Sequence, residues 1–285
     1  MLPGETDLLL REYPMKDATE RFSGRVGAYL KYRQGYPDAL IPLIEKKSGL
    51  TRHSVVADVG CGTGLLAECF LRNGYPVFGV EPNQEMRESA EQRLHAFAGF
   101  RSVAGSAEST GLKSNSIDLV TVGRAFHWFN TRRALAEFSR ILKPEGSCAI
   151  VWNQRKGSSF MRDYDSFLQA YCDDYREMRS ARAEQRKLLE DLGFCLSTLA
   201  HSERSTMKQL RGKILSLSIT PDPQHPRFEP MLKSIEELFH KHESDGQVRF
   251  EYNTLVYHRS CLADLNSSIL ESATDEARVS LGGSE

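Results

Sequence analysis

Val55-Val56-Ala57-Asp58-Val59-Gly60-Cys61-Gly62-Thr63-Gly64 runs from a short apolar stretch straight into a glycine-rich turn. The apolar part predicts a strand buried on both faces. Glycines at 60, 62 and 64 permit positive φ and let a ligand touch the backbone. The amides exposed where the next helix starts favour a negative group, a carboxylate as well as a phosphate. A strand, a glycine turn and a helix in that order open an α/β sheet.

The stretches that follow repeat the unit. A helix over about 64–73 closes at Gly74, and Val77-Phe78-Gly79-Val80 predicts a second strand ending at Glu81. Asn83 suits the cap of a helix with Met86, Ala90, Leu94 and Phe97 on one face. Ser102 to Gly105 predicts a short third strand, and Ile117 to Val122 a fourth. A helix from Asn130 or Thr131 carries Leu135, Phe138 and Leu142 inward and stops at the breaker Lys143-Pro144-Glu145-Gly146. Cys148 to Trp152 is a fifth strand. Such alternation predicts a doubly wound, mostly parallel sheet with helices on both faces. Ligands then lie beyond the carboxyl ends of the strands, where Gly60, Glu81, Gly105, Gly123 and Trp152 fall.

The second half has another texture. Residues 158–192 are charged and helical, with Phe160, Tyr164, Phe167, Leu168 and Tyr171 on a packed face. A sixth strand is expected over Phe194 to Leu199, and a helix over 206–217. Pro221, Pro223 and Pro226 mark a loop before an amphipathic helix with Met231, Ile235, Leu238 and Phe239. Val248, Phe250, Tyr252, Thr254 and Val256 alternate as one face of a last strand. The charge run from Arg179 to Lys187 predicts a solvated helix face. Residues 261–285 predict a disordered tail.

The 285 residues carry a formal net charge of −1, so a broad basic footprint for nucleic acid is not expected. No apolar run approaches the ~20 residues that span a bilayer. Leu8, Leu9 and Leu10 are flanked by Glu5, Asp7, Arg11 and Glu12, which argues against a secretory leader. The six cysteines are scattered, with no metal-ligand spacing, and suit thiols in a reducing cytoplasm.

Glu81 lies about 20 residues past the glycine turn, where an acid accepts hydrogen bonds from ribose hydroxyls. Turn and acid together fit a nucleoside cofactor, either a dinucleotide or S-adenosylmethionine. The glycine spacing is G-x-G-x-G rather than G-x-G-x-x-G. Asp58, just before the turn, disfavours a pyrophosphate and suits an ammonium group by charge sign.

The chain resembles the class I S-adenosylmethionine-dependent methyltransferases, in the small-molecule type 11 branch, and is similar to trans-aconitate-type enzymes. The likeness runs from about Phe22 to Tyr257. It is carried by VVADVGCGTG at 55–64, VFGVEPNQEM at 77–86, GSAEST at 105–110, SIDLVTVGRAFHWF at 116–129, RILKPEG at 140–146 and FEYNTLVY at 250–257. The resemblance implies a Rossmann-like seven-stranded sheet whose last strand, near 248–257, is antiparallel, with a helical cap.

It also implies roles. Asp58, Gly60, Cys61, Gly62 and Gly64 line the methionine part of S-adenosylmethionine, whose product is S-adenosylhomocysteine. Glu81, with Pro82, binds the ribose. Met86 packs beside adenine, and Ala107 and Glu108 contact the adenine edge. Arg124 stands where the family usually has a small or amide residue, so it faces the cofactor or binds an acidic substrate. His127, in the segment Ala125-Phe126-His127-Trp128-Phe129, is a candidate base near the reacting methyl, or else orders the loop. Arg33 is a candidate clamp for the cofactor carboxylate, and Tyr29, Tyr36 and Trp128 for the acceptor.

The expected organisation is an N-terminal extension over 1–21 and a cofactor domain over 22–153 with a lid at 22–37. A cap plus the last strands follow over 154–260. The expected activity is methylation of a small molecule at oxygen or nitrogen, with carboxylate methylation as one option. A monomer or homodimer, no metal, no nucleic-acid partner and no membrane partner are expected. The alternatives are a nicotinamide-dependent oxidoreductase, a non-catalytic cofactor-binding protein, and a nucleic-acid or protein methyltransferase.

Overall fold

The computed structural model describes residues 35–172, 174–217 and 219–262. The expected extension, the lid before residue 35 (with Tyr29 and Arg33) and the tail from residue 263 lie outside the described residues.

Apolar strands and amphipathic helices alternate through the first half. The order is α1 (Leu40–Ser48), β1 (Val56–Val59), α2 (Leu65–Arg72), β2 (Val77–Val80), α3 (Gln84–Leu94), β3 (Phe100–Val103), β4 (Ile117–Gly123), α4 (Thr131–Ile141) and β5 (Leu142–Arg155). The second half adds α5 (Ser159–Tyr171), α6 (Tyr175–Asp191), β6 (Cys195–Ser205), α7 (Met207–Leu215), α8 (Phe228–His242) and β7 (Val248–Ser260). The strands form a seven-stranded sheet in the order β3-β2-β1-β4-β5-β7-β6. β1 through β5 pair in parallel, and β7 runs antiparallel to both β5 and β6. No helix among the described residues is long and apolar enough to cross a membrane.

Each sheet face buries its own core. One face packs Val59, Val120, Ile150 and Tyr257 against Phe138 of α4 and Leu189 of α6. The other packs Val56, Leu119, Val151 and Val256 against Ile44 of α1 and Phe70 of α2. A third cluster joins Phe160, Tyr164 and Leu168 of α5 to Ile214, Met231 and Ile235 of α7 and α8, and to Phe250 of β7. This cap is raised above the parallel strands. β5 ends at Arg155, opposite Tyr252, whereas β6 and β7 stay paired as far as Ser205 and Val248.

Several boundaries differ from expectation. β3 starts at Phe100 and ends at Val103, because Phe100 pairs with Val77 and its ring packs over Gly79. Lys143-Pro144-Glu145-Gly146 is not a separate turn. α4 ends at Ile141, Leu142 is already extended, and the pairing slips between Ile117 with Leu142 and Leu119 with Ser147. The extra residues bulge there, and Lys143 Nζ reaches Asp118 at 2.8 Å. β6 is longer than Phe194 to Leu199. Within the charge run, Ala181 and Gln185 are buried, so that part of α6 faces the protein rather than water.

Asp58 ties three elements together. Its side chain is 1 % exposed. Oδ2 accepts the Ala67 N–H of α2 at 3.0 Å, and Oδ1 accepts the Thr121 hydroxyl of β4 at 3.3 Å. Burial pushes its pKa from 3.8 to about 7 despite these two donors. The folded chain therefore holds a proton here that the unfolded chain has released. Stability contributed at this site is full below about pH 4 and is lost as pH rises through about 7. At about 1.4 kcal/mol per pH unit the loss is on the order of 4 kcal/mol. Asp58→Asn removes the charge: its Oδ1 can accept the Ala67 N–H, and its Nδ2 can donate to the Thr121 hydroxyl, reversing that bond. The urea midpoint of the wild type should fall between pH 5 and pH 8, and the variant should show a flatter dependence and be the more stable of the two at pH 8.

Candidate active site

The site is built at the carboxyl ends of β1, β2, β4 and β5. Gly60, Gly62 and Gly64 have φ of 67°, 55° and 80°, all in the left-handed region. Two of them have distinct tasks. A side chain at Gly60 would strike Ala125 Cβ at 2.7 Å and the Phe129 ring at 3.0 Å, so the bare backbone lets the turn after β1 pack on the segment after β4. A side chain at Gly62 would meet no atom of the described residues within 4 Å, so among them this glycine borders open space.

Glu81 fastens this turn from β2. Its Oε2 accepts the Gly62 N–H at 2.9 Å and its Oε1 accepts the Asn83 N–H at 3.0 Å. The side chain is buried. Burial raises its pKa, opposed by the Asn83 and Gly62 N–H groups and by Arg87. An ionised carboxylate has about four acceptor positions. Two are taken by the backbone, which leaves acceptor capacity for paired hydroxyls.

Pro82, Asn83 and Met86 follow directly on Glu81 at the start of α3. Asn83 caps α3 by accepting the Met86 N–H at 2.9 Å, and Met86 is buried beneath. Pro82 is exposed, and its carbonyl, with that of Glu81, accepts from Arg87. Cys61 is buried, its thiol pushed well above the ordinary range by burial and by the negative Asp58 and Glu81. Its Sγ lies over Gly79, which marks it as packing. Ala107 is buried in the first core, and Glu108 Oε1 accepts the Asn130 N–H at 2.9 Å. Asp58 is turned inward to α2 and β4, so the placement expected from charge sign alone is corrected: its carboxylate secures the turn from below.

The segment after β4 supplies the opposite wall. Arg124 has φ of 59°, rare for a residue with a side chain, and its N–H donates to Val151 O at 2.9 Å. Its guanidinium lies 4.9 Å from the centre of the Tyr36 ring, and the Tyr36 hydroxyl covers Gly123. Phe126, His127 and Trp128 form a short 3-10 turn. His127 is buried, and its Nε2 lies 3.2 Å from Arg182 Nη2 of α6. A guanidinium only donates, so Nε2 accepts and the imidazole is neutral. Gln185, one turn on, donates to Phe126 O at 3.2 Å and to Thr131 Oγ1 at 3.3 Å. α6 thus clamps the His127 segment at two points.

Sequence reading missed Arg182, Gln185 and Thr63. The first two lie in the charge run read as solvated. Thr63 is 1 % exposed, and its hydroxyl has no partner among the described residues, a donor within the turn itself. Its place inside the glycine motif was the available signal. No group of His, Cys, Asp and Glu among the described residues is arranged to hold a metal ion.

A family model described as a methyltransferase domain matches residues 57–150, which span β1 through most of β5. An uncharacterized methyltransferase of Mycobacterium tuberculosis is 34 % identical over 144 residues, 49 % of this chain and 55 % of that protein. The chain therefore spans about half the length of that relative. An uncharacterized methyltransferase-like protein of Schizosaccharomyces pombe is 30 % identical over 245 residues, 83 % of this chain and 93 % of its own. Among solved structures, a protein assigned as a type II methyltransferase from Anaeromyxobacter dehalogenans shares the fold. It has a TM-score of 0.61 and 19 % identity, and the match covers 80 % of this chain and 97 % of that one. With the glycine turn, the buried acid of β2 and the antiparallel last strand in place, the chain belongs to the class I S-adenosylmethionine-dependent methyltransferase family.

Proposed function

We propose that this chain binds S-adenosylmethionine and transfers its methyl group to oxygen or nitrogen of a small acceptor that carries a carboxylate. The carrying observation is the buried Glu81 carboxylate, held by the Gly62 and Asn83 N–H groups beside an open glycine turn. The cofactor suits these residues. Paired ribose hydroxyls match the remaining acceptor positions of Glu81, the open side of Gly62 gives room for the methionine part, and the buried Thr63 hydroxyl offers it a hydrogen bond. Ala107, Glu108 and Met86 would border the base, with Pro82 at the rim. Bound S-adenosylmethionine supplies an electrophilic methyl group on a sulfonium centre.

The chain's own residues then need to align the acceptor and exclude water. Tyr36, Arg124 and Trp128, all in the wall after β4, would stand nearest the reacting atoms. Arg124 and Arg155 favour an anionic acceptor. Arg33 is proposed as a contact for the cofactor carboxylate and Tyr29 for the acceptor. His127 is assigned a positioning role. Its Nε2 is already occupied as an acceptor by Arg182.

Calorimetry should detect S-adenosylhomocysteine binding to the folded wild type. Glu81→Gln should weaken it by roughly 10- to 100-fold, as expected for hydrogen bonds to a charged group. A lack of heat with the wild type would overturn the assignment. Binding without S-adenosylhomocysteine release from S-adenosylmethionine across acceptor mixtures would indicate a non-catalytic binder.

His127→Gln should retain kcat within about tenfold, because glutamine can still receive Arg182. A loss of about 100-fold or more in kcat, with S-adenosylhomocysteine affinity unchanged, would make His127 a proton acceptor instead.

A further inference from the structure

Resting on the methyltransferase reading, we propose that Asn153 is a specificity-determining residue that donates from Nδ2 to a carboxylate oxygen of the methyl acceptor. Asn153 lies near the carboxyl end of β5, two residues beyond Val151, which pairs with Gly123 of β4. Val151 and Asn153 share one sheet face, the face on which the Tyr36 hydroxyl covers Gly123. This places Asn153 on the acceptor side of the segment that carries Arg124.

Its amide is locked from the β7 side. Thr254, fully buried, donates its hydroxyl to Asn153 Oδ1 at 2.9 Å. The same hydroxyl lies 3.3 Å from His201 Nδ1 of β6. A hydroxyl that gives its proton to Asn153 accepts from His201, so Nδ1 carries hydrogen there. The His201 ring stacks on Tyr252 at 5.4 Å and 21°, which fixes its plane. Burial lowers the His201 pKa and keeps the ring neutral.

An amide that turns its oxygen to β7 turns its nitrogen the other way. Asn153 Nδ2 is buried and has no hydrogen-bond partner among the described residues. A buried donor left unpaired costs about 1–3 kcal/mol, so its retention calls for a ligand atom that accepts. The groups beside it are donors as well. Arg155 follows on the same face, held against the Tyr164 and Tyr175 rings and bonded to Asp165, and Tyr252 lies opposite it. Arg124 and the Tyr36 hydroxyl stand on the β4 side. Asp165 offsets the charge of Arg155, so the Asn153 Nδ2 donor and the positive Arg124 are the groups that select an oxygen anion over an amine or an amide.

The test uses full-length protein saturated with S-adenosylhomocysteine. Short mono- and dicarboxylic acids of three to six carbons, each beside its primary amide, are titrated by calorimetry. At least one acid should bind with its amide tenfold or more weaker. Asn153→Leu, which removes the donor, and Asn153→Asp, which replaces it with an anion, should each weaken that acid tenfold or more. Both should leave S-adenosylhomocysteine affinity within twofold, a readout that distortion of the pocket would also move. Equal binding of acids and amides, no binding of any acid, or acid affinity within twofold in both variants overturns the proposal alone. Failure of the wild type to bind S-adenosylhomocysteine overturns the underlying reading and this inference with it.

Discussion

The hydrogen bond from the Gly62 N–H to the Glu81 carboxylate is the constraint around which the site is organised. It joins the turn after β1 to the end of β2 and sets the open side of the turn beside a buried acceptor. Gly62 suits this because its φ of 55° is strained for any residue with a side chain and its outer side must stay open. Glu81 suits it because two backbone donors stabilise an anion that burial alone would disfavour. Asp58 completes the support from below, a second buried acid that fixes the start of α2 and never reaches the open side.

The remainder of the molecule holds walls against this centre. α6 is part of the cap by sequence, yet Leu189 packs it on the main sheet while Arg182 and Gln185 grip the segment 126–131. The strand pair β6 and β7 rises past β5 and carries α5, α7 and α8 on its own apolar cluster. Asn153 stands at the junction of the two parts. Its orientation is set by a side-chain chain through Thr254 to His201 that crosses three strands.

Much of this was legible in order and spacing. Seven strands, the Asn83 cap and the convergence of Gly60, Glu81 and Gly123 at strand ends follow from hydrophobic period and turn chemistry, and the antiparallel direction of the last strand from the family resemblance. What escaped depends on direction rather than identity. Asp58 reads as a carboxylate beside the turn, but a strand residue faces one side only, and its face belongs to α2 and Thr121. Arg182 and Gln185 read as part of a charged run. A helix of mixed polarity shows its inner face only when its partners are known, and here they are an imidazole nitrogen, a backbone carbonyl and a hydroxyl. Asn153 has no local motif, since its neighbours come from β6 and β7 about 50 and 100 residues away in the chain. The Lys143–Gly146 stretch has turn composition, yet it serves as a bulge within β5 because Asp118 recruits Lys143 to the amino ends of β4 and β5.

The most direct test of the central claim is a crystal structure of the complex with S-adenosylhomocysteine. The account predicts both ribose hydroxyls within about 3.2 Å of the Glu81 carboxylate, with the homocysteine part running along the open side of Gly62. A nucleoside bound elsewhere, or bound here with its ribose turned away from Glu81, would contradict it.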